Sequence, residues 1–242
     1  MIEVVNITKT YSGALKAVDN LSITIEDGEI FGFLGPNGAG KTTTIKMITG
    51  ILRPDSGNIR INGTDINESP LEAKKKFGFV PDDPNIFLRL KGIEYLNFMA
   101  DMYDVSAGDR KQRIESLAER FEMSSALYDQ IQSYSHGMRQ KIVIMGVLIH
   151  NPPVWVLDEP MTGLDPKSSF TLKEMMREHA SGGNTVFFST HVLEVAEKLC
   201  DKVAIINKGK ILFAGKLEEM REHFKNNQSF EKMFLELTEN GQ

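Results

Sequence analysis

Gly35-Pro36-Asn37-Gly38-Ala39-Gly40-Lys41-Thr42 satisfies the spacing G-x-x-x-x-G-K-[ST]. Each residue type has a physical reason to be there. Glycines let backbone N–H groups close around phosphate oxygens, and a helix starting at Lys41 adds the positive end of its dipole. Lys41 brings a point charge to the β- and γ-phosphates of a nucleotide, and the Thr42 hydroxyl is a hard oxygen ligand for Mg²⁺. Asn37, Gly38, Ala39, Gly40 and Thr43 complete the expected cradle. Further along, the apolar run Val154-Trp155-Val156-Leu157 ends in Asp158-Glu159, as a central parallel strand ending at a site would. Asp158 is expected to hold Mg²⁺, directly or through water. Glu159 is expected to orient or deprotonate the attacking water.

These groups need a scaffold. Ile30 to Leu34 reads as a buried strand feeding the glycine-rich loop, with a helix from about Lys41 to Thr49 behind it. Ile2 to Ile7 and Leu21 to Ile25 read as strands, and Asp27-Gly28 before Ile30 signals a hairpin. Asn58 to Ile61 and Phe77 to Val80 are further short strands. From Asn85 to His150 the pattern turns helical, with helices expected over Ile93–Tyr103, Ala107–Phe121 and Gly137–His150. Strand–helix alternation resumes over Val154–Leu157, Pro166–His179, Thr185–Ser189, Val192–Leu199 and Val203–Ile206. Such alternation implies a parallel sheet with helices on both faces. The expected organisation is an α/β core over 1–84 and 151–216, a helical subdomain over 85–150 and a helical tail over 217–242. In the tail, Phe230, Met233, Phe234 and Leu237 form one apolar stripe.

Composition narrows the functions. The chain has 242 residues, 41% hydrophobic and 25% charged, enough to bury a full core. Lys plus Arg number 28 against 33 for Asp plus Glu, which argues against nucleic-acid binding. The cluster Lys74-Lys75-Lys76 reads as a solvated helix face. A single cysteine, Cys200, precludes an intramolecular disulfide and a cysteine metal site. Glu3 stands where a signal peptide wants positive charge, and the longest apolar run, Ile142 to Ile149, falls far short of the ~18 residues of a membrane span. The expectation is a cytoplasmic chain with no span of its own. A GTPase would need Asn-Lys-x-Asp, but Asn207-Lys208-Gly209-Lys210 lacks the aspartate.

Tyr134-Ser135-His136-Gly137-Met138, with Gln140 following, matches the Leu-Ser-Gly-Gly-Gln signature of ATP-binding-cassette transporters. Over essentially its whole length the chain resembles the ATP-binding subunits of that family, with the phosphate loop and Asp158-Glu159 in their usual order. The resemblance implies a P-loop NTPase (RecA-like) core with an N-terminal antiparallel β subdomain, an inserted helical subdomain and a short helical tail. It implies a Mg²⁺-dependent ATPase that sandwiches ATP in a homodimer or heterodimer. It also implies a transmembrane permease partner, hence a place on the inner face of the membrane. In the family the signature serves the γ-phosphate of ATP held by the other subunit, which puts Ser135 and Gly137 in that role. Thr162 to Pro166 resembles the D-loop that crosses the dimer interface. His191 resembles the switch histidine at the γ-phosphate, and Tyr11 the aromatic that stacks on adenine, with Val18 flanking the base. Signature variants of this kind and the tail ending suggest an exporter-type relative. The alternatives are an importer ATPase, or a soluble relative working on DNA or ribosomes.

The chain departs from the family at three positions. Tyr134 replaces Leu in an apolar socket. His136 replaces the first signature Gly, where a strained φ is expected. Asp82, in Phe79-Val80-Pro81-Asp82-Asp83-Pro84, stands where a Gln is expected. As a carboxylate it either contacts the metal or merely caps the next turn. The following segment, Ile86 to Tyr103, is apolar on more than one face; one face packs inside, and the surplus is either a docking groove for another protein's helix or is itself buried within the lobe.

Overall fold

The computed structural model describes residues 1–11, 15–224 and 229–240. Two sheets organise them. β1 (Ile2–Tyr11), β2 (Leu15–Ile25), β4 (Ser56–Ile61) and β5 (Thr64–Asp65) form an antiparallel sheet in the order β2-β1-β4-β5. β3 (Ile30–Leu34), β6 (Phe77–Val80), β7 (Val154–Leu157), β8 (Thr185–Thr190), β9 (Lys202–Asn207) and β10 (Lys210–Gly215) form the second, in the order β10-β9-β3-β8-β7-β6. All its pairings are parallel except β9 with β10. Every residue of β3, β7 and β8 is buried, as expected of strands covered on both faces.

Between the sheets lies one core, built from Ile2, Ile7, Phe33 and Phe187 with Ile45 and Met47 of α1 (Lys41–Ile48). A short helix, α2 (Pro70–Lys74), leads into β6. The chain then leaves the sheet. α3 (Gly92–Met102), α4 (Ala107–Arg120) and α5 (His136–Leu148) intervene before β7 returns beside β6, Val80 opposite Leu157. α5 is buried from Gln140 to Leu148, so it is the axle of this lobe, with α3 and α4 packed on it. α6 (Pro166–Ser181) and α7 (Leu193–Leu199) follow β7 and β8. α8 (Leu217–His223) and α9 (Phe230–Asn240) close the chain, and Phe230 and Met233 pack on Leu34, Ala196 and Ile205. The tail stripe thus folds back on the core.

The structure corrects the sequence reading in places. Asp27-Gly28 is a turn, with Gly28 at φ +77, but it joins no hairpin: β2 and β3 lie in different sheets, and the Gly28 N–H bonds the Asn184 carbonyl at 3.0 Å. β10 adds an antiparallel edge to the parallel sheet. Its connection is Lys208-Gly209, both at positive φ (46° and 79°), the geometry that matches strand twist in a two-residue hairpin. Lys76 is no free surface charge, since its ammonium bonds the Asn62 carbonyl at 3.0 Å.

Candidate functional site

The carboxyl ends of β3, β8, β7 and β6 run side by side in the same direction, with Leu34 opposite Thr190, Leu157 opposite Phe188, and Val80 opposite Leu157. The residues just beyond them therefore share one rim, where open α/β sheets bind ligands. A cavity of about 210 Å³ lies there, lined by Asn37, Gly38, Gly40, Lys41, Thr42 and Thr43 of the loop, with Ala17, Asp82 and Glu159.

The loop has the shape of a polyphosphate cradle. Gly38 lies at φ +78 and Gly40 at φ +111, and a Cβ on Gly40 would come 2.5 Å from the Ala17 carbonyl oxygen. Gly40 caps α1 without any side-chain hydrogen bond, and no acidic residue sits in the first turn. The first N–H groups of α1 are thus left to face an anion. Lys41 Nζ donates to the Gly35 carbonyl at 2.7 Å and the Pro36 carbonyl at 3.3 Å, which holds the ammonium at the cavity floor. Ala39 is the exception among the loop residues. Its side chain is buried in the core, and only its backbone serves the loop, accepting from the Gly209 N–H at 2.9 Å.

Ser189 organises the acidic side. It is fully buried at the end of β8, its hydroxyl donates to Asp158 Oδ1 at 2.5 Å, and it accepts from the Glu159 N–H at 3.0 Å. Burial raises the Asp158 pKa, opposed by hydrogen bonds from Ser189 and Thr42, while the charges of Asp82 and Glu159 raise it further. Glu159 sits at φ +47, a costly conformation for a residue with a side chain. One of its oxygens lies 3.7 Å from Lys41 Nζ and the other 3.0 Å from His191 Nδ1. Thr42, Asp158 and Asp82 offer hard oxygen donors of the kind Mg²⁺ takes together with substrate phosphates. Asp83, not Asp82, accepts from the Asn85 N–H at 3.0 Å and caps that turn.

Other expected site residues lie elsewhere. Val18 is fully buried in the core between the sheets. An extra residue in β2, where Asn20 takes φ +51, shifts the pairing from Ile7–Leu21 to Lys9–Val18 and turns Val18 inward. Ala17 lines the cavity in its place. Tyr11 ends β1, 45% exposed and outside the cavity lining. Ser135 and Gly137 also stand outside it, at the start of α5. Ser135 is the N-cap, accepting from the Met138 N–H at 3.3 Å. His136 is the first residue of α5 and is not at positive φ, because the helix begins before the second glycine. Tyr134 fills its socket, its hydroxyl donating to the Ala126 carbonyl at 2.5 Å.

Ser189 and the Lys208-Gly209 hairpin were missed from sequence. The Asp19 N–H bonds the Gly209 carbonyl at 2.9 Å, so that hairpin braces β2 as well as the loop. Only the Ser-Thr pair at a strand end hinted at the first; the local signal for the second is Gly209 between the apolar runs that end at Ile206 and begin at Ile211.

The family model of the ABC transporter matches residues 18–162. Over 209 residues the chain is 38% identical to the ABC transporter ATP-binding protein NatA of Bacillus subtilis (strain 168), covering 86% of this chain and 85% of that one. A solved structure of an ATP binding subunit of an ABC transporter superposes with a TM-score of 0.93 at 31% identity, over 98% of this chain and 99% of that one. A dimeric bacterial ABC transporter cassette gives 0.83 at 25% identity, over 90% and 99%. Cradle, carboxylates and signature thus sit on a backbone shared with these proteins, and the chain belongs to the ABC transporter family as an ATP-binding subunit.

Proposed function

We propose that two such cassettes, identical or homologous, pair head to tail around two ATP molecules, hydrolyse them with Mg²⁺, and drive export through a separate transmembrane permease. The observation that carries the pairing is the separation of Ser135 and Gly137 from the cavity that Lys41 and Glu159 line. A helix N-terminus with an exposed serine cap suits the phosphate of a facing subunit. The dimeric cassette among the similar structures supports the same reading.

Each residue then has a task. The α1 N-terminus and Lys41 bind the β- and γ-phosphates, and Tyr11 stacks on the adenine. Glu159 accepts the proton of the attacking water, and His191, at 3.0 Å, orients that carboxylate and contacts the γ-phosphate. Thr42, Asp158 and Asp82 would hold Mg²⁺, which supplies neutralisation of the phosphate charge when bound. The permease would dock where Phe87, Phe98 and Met102 are 47%, 40% and 62% exposed, just past the Asp82 loop. Among the described residues no helix is long and apolar enough to cross a membrane, so the membrane path is assigned to that partner. Export follows the signature variant and the tail, which resemble exporter-type relatives.

Mixing tests the pairing. Ser135→Arg and Lys41→Ala proteins, each inactive alone, should recover part of the ATPase activity when combined, because one composite site is then intact. Full turnover by a monomer at high dilution would refute shared catalysis.

A further inference from the structure

Gly163 lies at φ +76 in the turn after Glu159, and a Cβ placed on it would overlap Cδ2 of His136 and come 2.8 Å from Nε2. The imidazole therefore presses its Cδ2–Nε2 edge against a residue that has no side chain of its own. One residue on, a Cβ at Gly137 would come 2.6 Å from the Gly163 carbonyl oxygen, so the two backbones also touch. Further along α5 the same face grips the same turn. Gln140 Nε2 donates to the Pro160 carbonyl at 3.4 Å, and Lys141 Nζ pairs with Asp165 at 2.9 Å. Inside the turn, the Thr162 N–H bonds the Glu159 carbonyl at 3.0 Å and the Leu164 N–H bonds the Met161 carbonyl at 3.2 Å. The start of α5 and the backbone of Glu159 are thus linked within one chain.

We infer that His136, the residue that replaces a signature glycine here, is a positioning residue: its ring holds the 160–165 turn in place and through it Glu159. The contact is steric. A left-handed glycine is the least restrained residue in a chain, free to swap conformers at little cost, and the ring across its open face removes that freedom. A glycine at 136 would leave Gly163 facing a gap. His136 is not among the residues that line the phosphate cavity, so losing it should spare ATP binding in that cavity and impair the alignment that turnover requires. This inference rests on the ATPase reading above for its catalytic consequence, but not for its structural one.

Hydrogen–deuterium exchange on nucleotide-free wild type, His136→Ala and His136→Phe reads the structural part directly. The amides of residues 161–165 should exchange several-fold faster in His136→Ala and return to the wild-type rate in His136→Phe, with α1 unchanged in both. In steady-state hydrolysis, His136→Ala should lower kcat roughly 10-fold with KM for ATP nearly unchanged, and Phe should restore kcat. The effects of Gly163→Ala and His136→Ala on kcat should be non-additive in the double variant by the part that their shared contact carries, while the strain of an alanine at φ +76 remains in both backgrounds. Unchanged exchange in His136→Ala overturns the proposal. So does failure of Phe to restore kcat, which would make His136 a polar contact to phosphate instead. A wild-type protein that does not hydrolyse ATP would sink the ATPase reading alone, leaving exchange to decide this one.

Discussion

Lys41 Nζ stands 3.7 Å from Glu159 Oε1, each side chain largely buried, while the other oxygen of Glu159 faces His191. A γ-phosphate entering the cavity would compete for the same ammonium and free the carboxylate to act as base. Lys41→Ala should weaken ATP binding about 10- to 100-fold, the usual loss for a hydrogen bond to a charged group. Glu159→Gln should keep ATP affinity, lower hydrolysis by about 10²- to 10⁴-fold, and accumulate an ATP-bound dimer on size exclusion. Wild-type phosphate release from Glu159→Gln would remove Glu159 from the mechanism.

Asp82 lines the cavity beside Glu159 and Thr42. Two like charges 4 Å apart cost about 1 kcal/mol in water and about 4 kcal/mol at an effective dielectric of 20, so metal-free ATP should be disfavoured. Asp82→Asn should therefore bind ATP more tightly in EDTA and need more Mg²⁺ for half-maximal hydrolysis. Titrations matching wild type in both respects would mean that Asp82 touches neither phosphate nor metal.

Ser189→Ala strips a buried donor from Asp158 and a buried acceptor from the Glu159 N–H. The cost should be about 1–3 kcal/mol of stability, read as a lower urea midpoint with unchanged m-value. Turnover should fall too, since Glu159 loses the anchor of its φ +47 conformation. Full stability and full activity would show that the serine is dispensable.

His179 is 8% exposed, stacked on Trp155 at 4.1 Å, and burial depresses its pKa to about 4. Unfolded, it would titrate near its ordinary value of about 6.5. Between those values the unfolded chain binds the extra proton, so stability is full above pH 6.5 and declines as pH falls towards 4. The slope from this residue is at most about 1.4 kcal/mol per pH unit. His179→Phe should flatten the denaturation profile between pH 4.5 and 6.5 relative to wild type. An equal slope in both proteins would place the acid sensitivity elsewhere.

How much could be read beforehand depended on range. The phosphate cradle is one run of eight consecutive residues, so its glycines, its lysine and the following helix were legible from local chemistry. The same holds for the fully apolar strands ending at Leu34 and Leu157 and for the apolar stripe of α9. The side on which a residue faces was not always local. Val18 turned inward because β2 carries an extra residue against β1, and pairing register depends on the partner strand. Asp27-Gly28 looked like a hairpin because the turn itself is the same whichever sheet the next strand joins. His136 was expected to be strained, yet a helix start one residue earlier placed it in ordinary helical geometry. Only the strand order β3-β8-β7-β6 brought Lys41, Ser189, Glu159 and Asp82 to one rim, and the chain runs through three α-helices between Asp82 and Asp158. Residue type and spacing determine what a segment can bind. Which distant segments share a rim is decided by packing of the whole sheet, because parallel strands pair only through long crossovers that the local sequence does not encode.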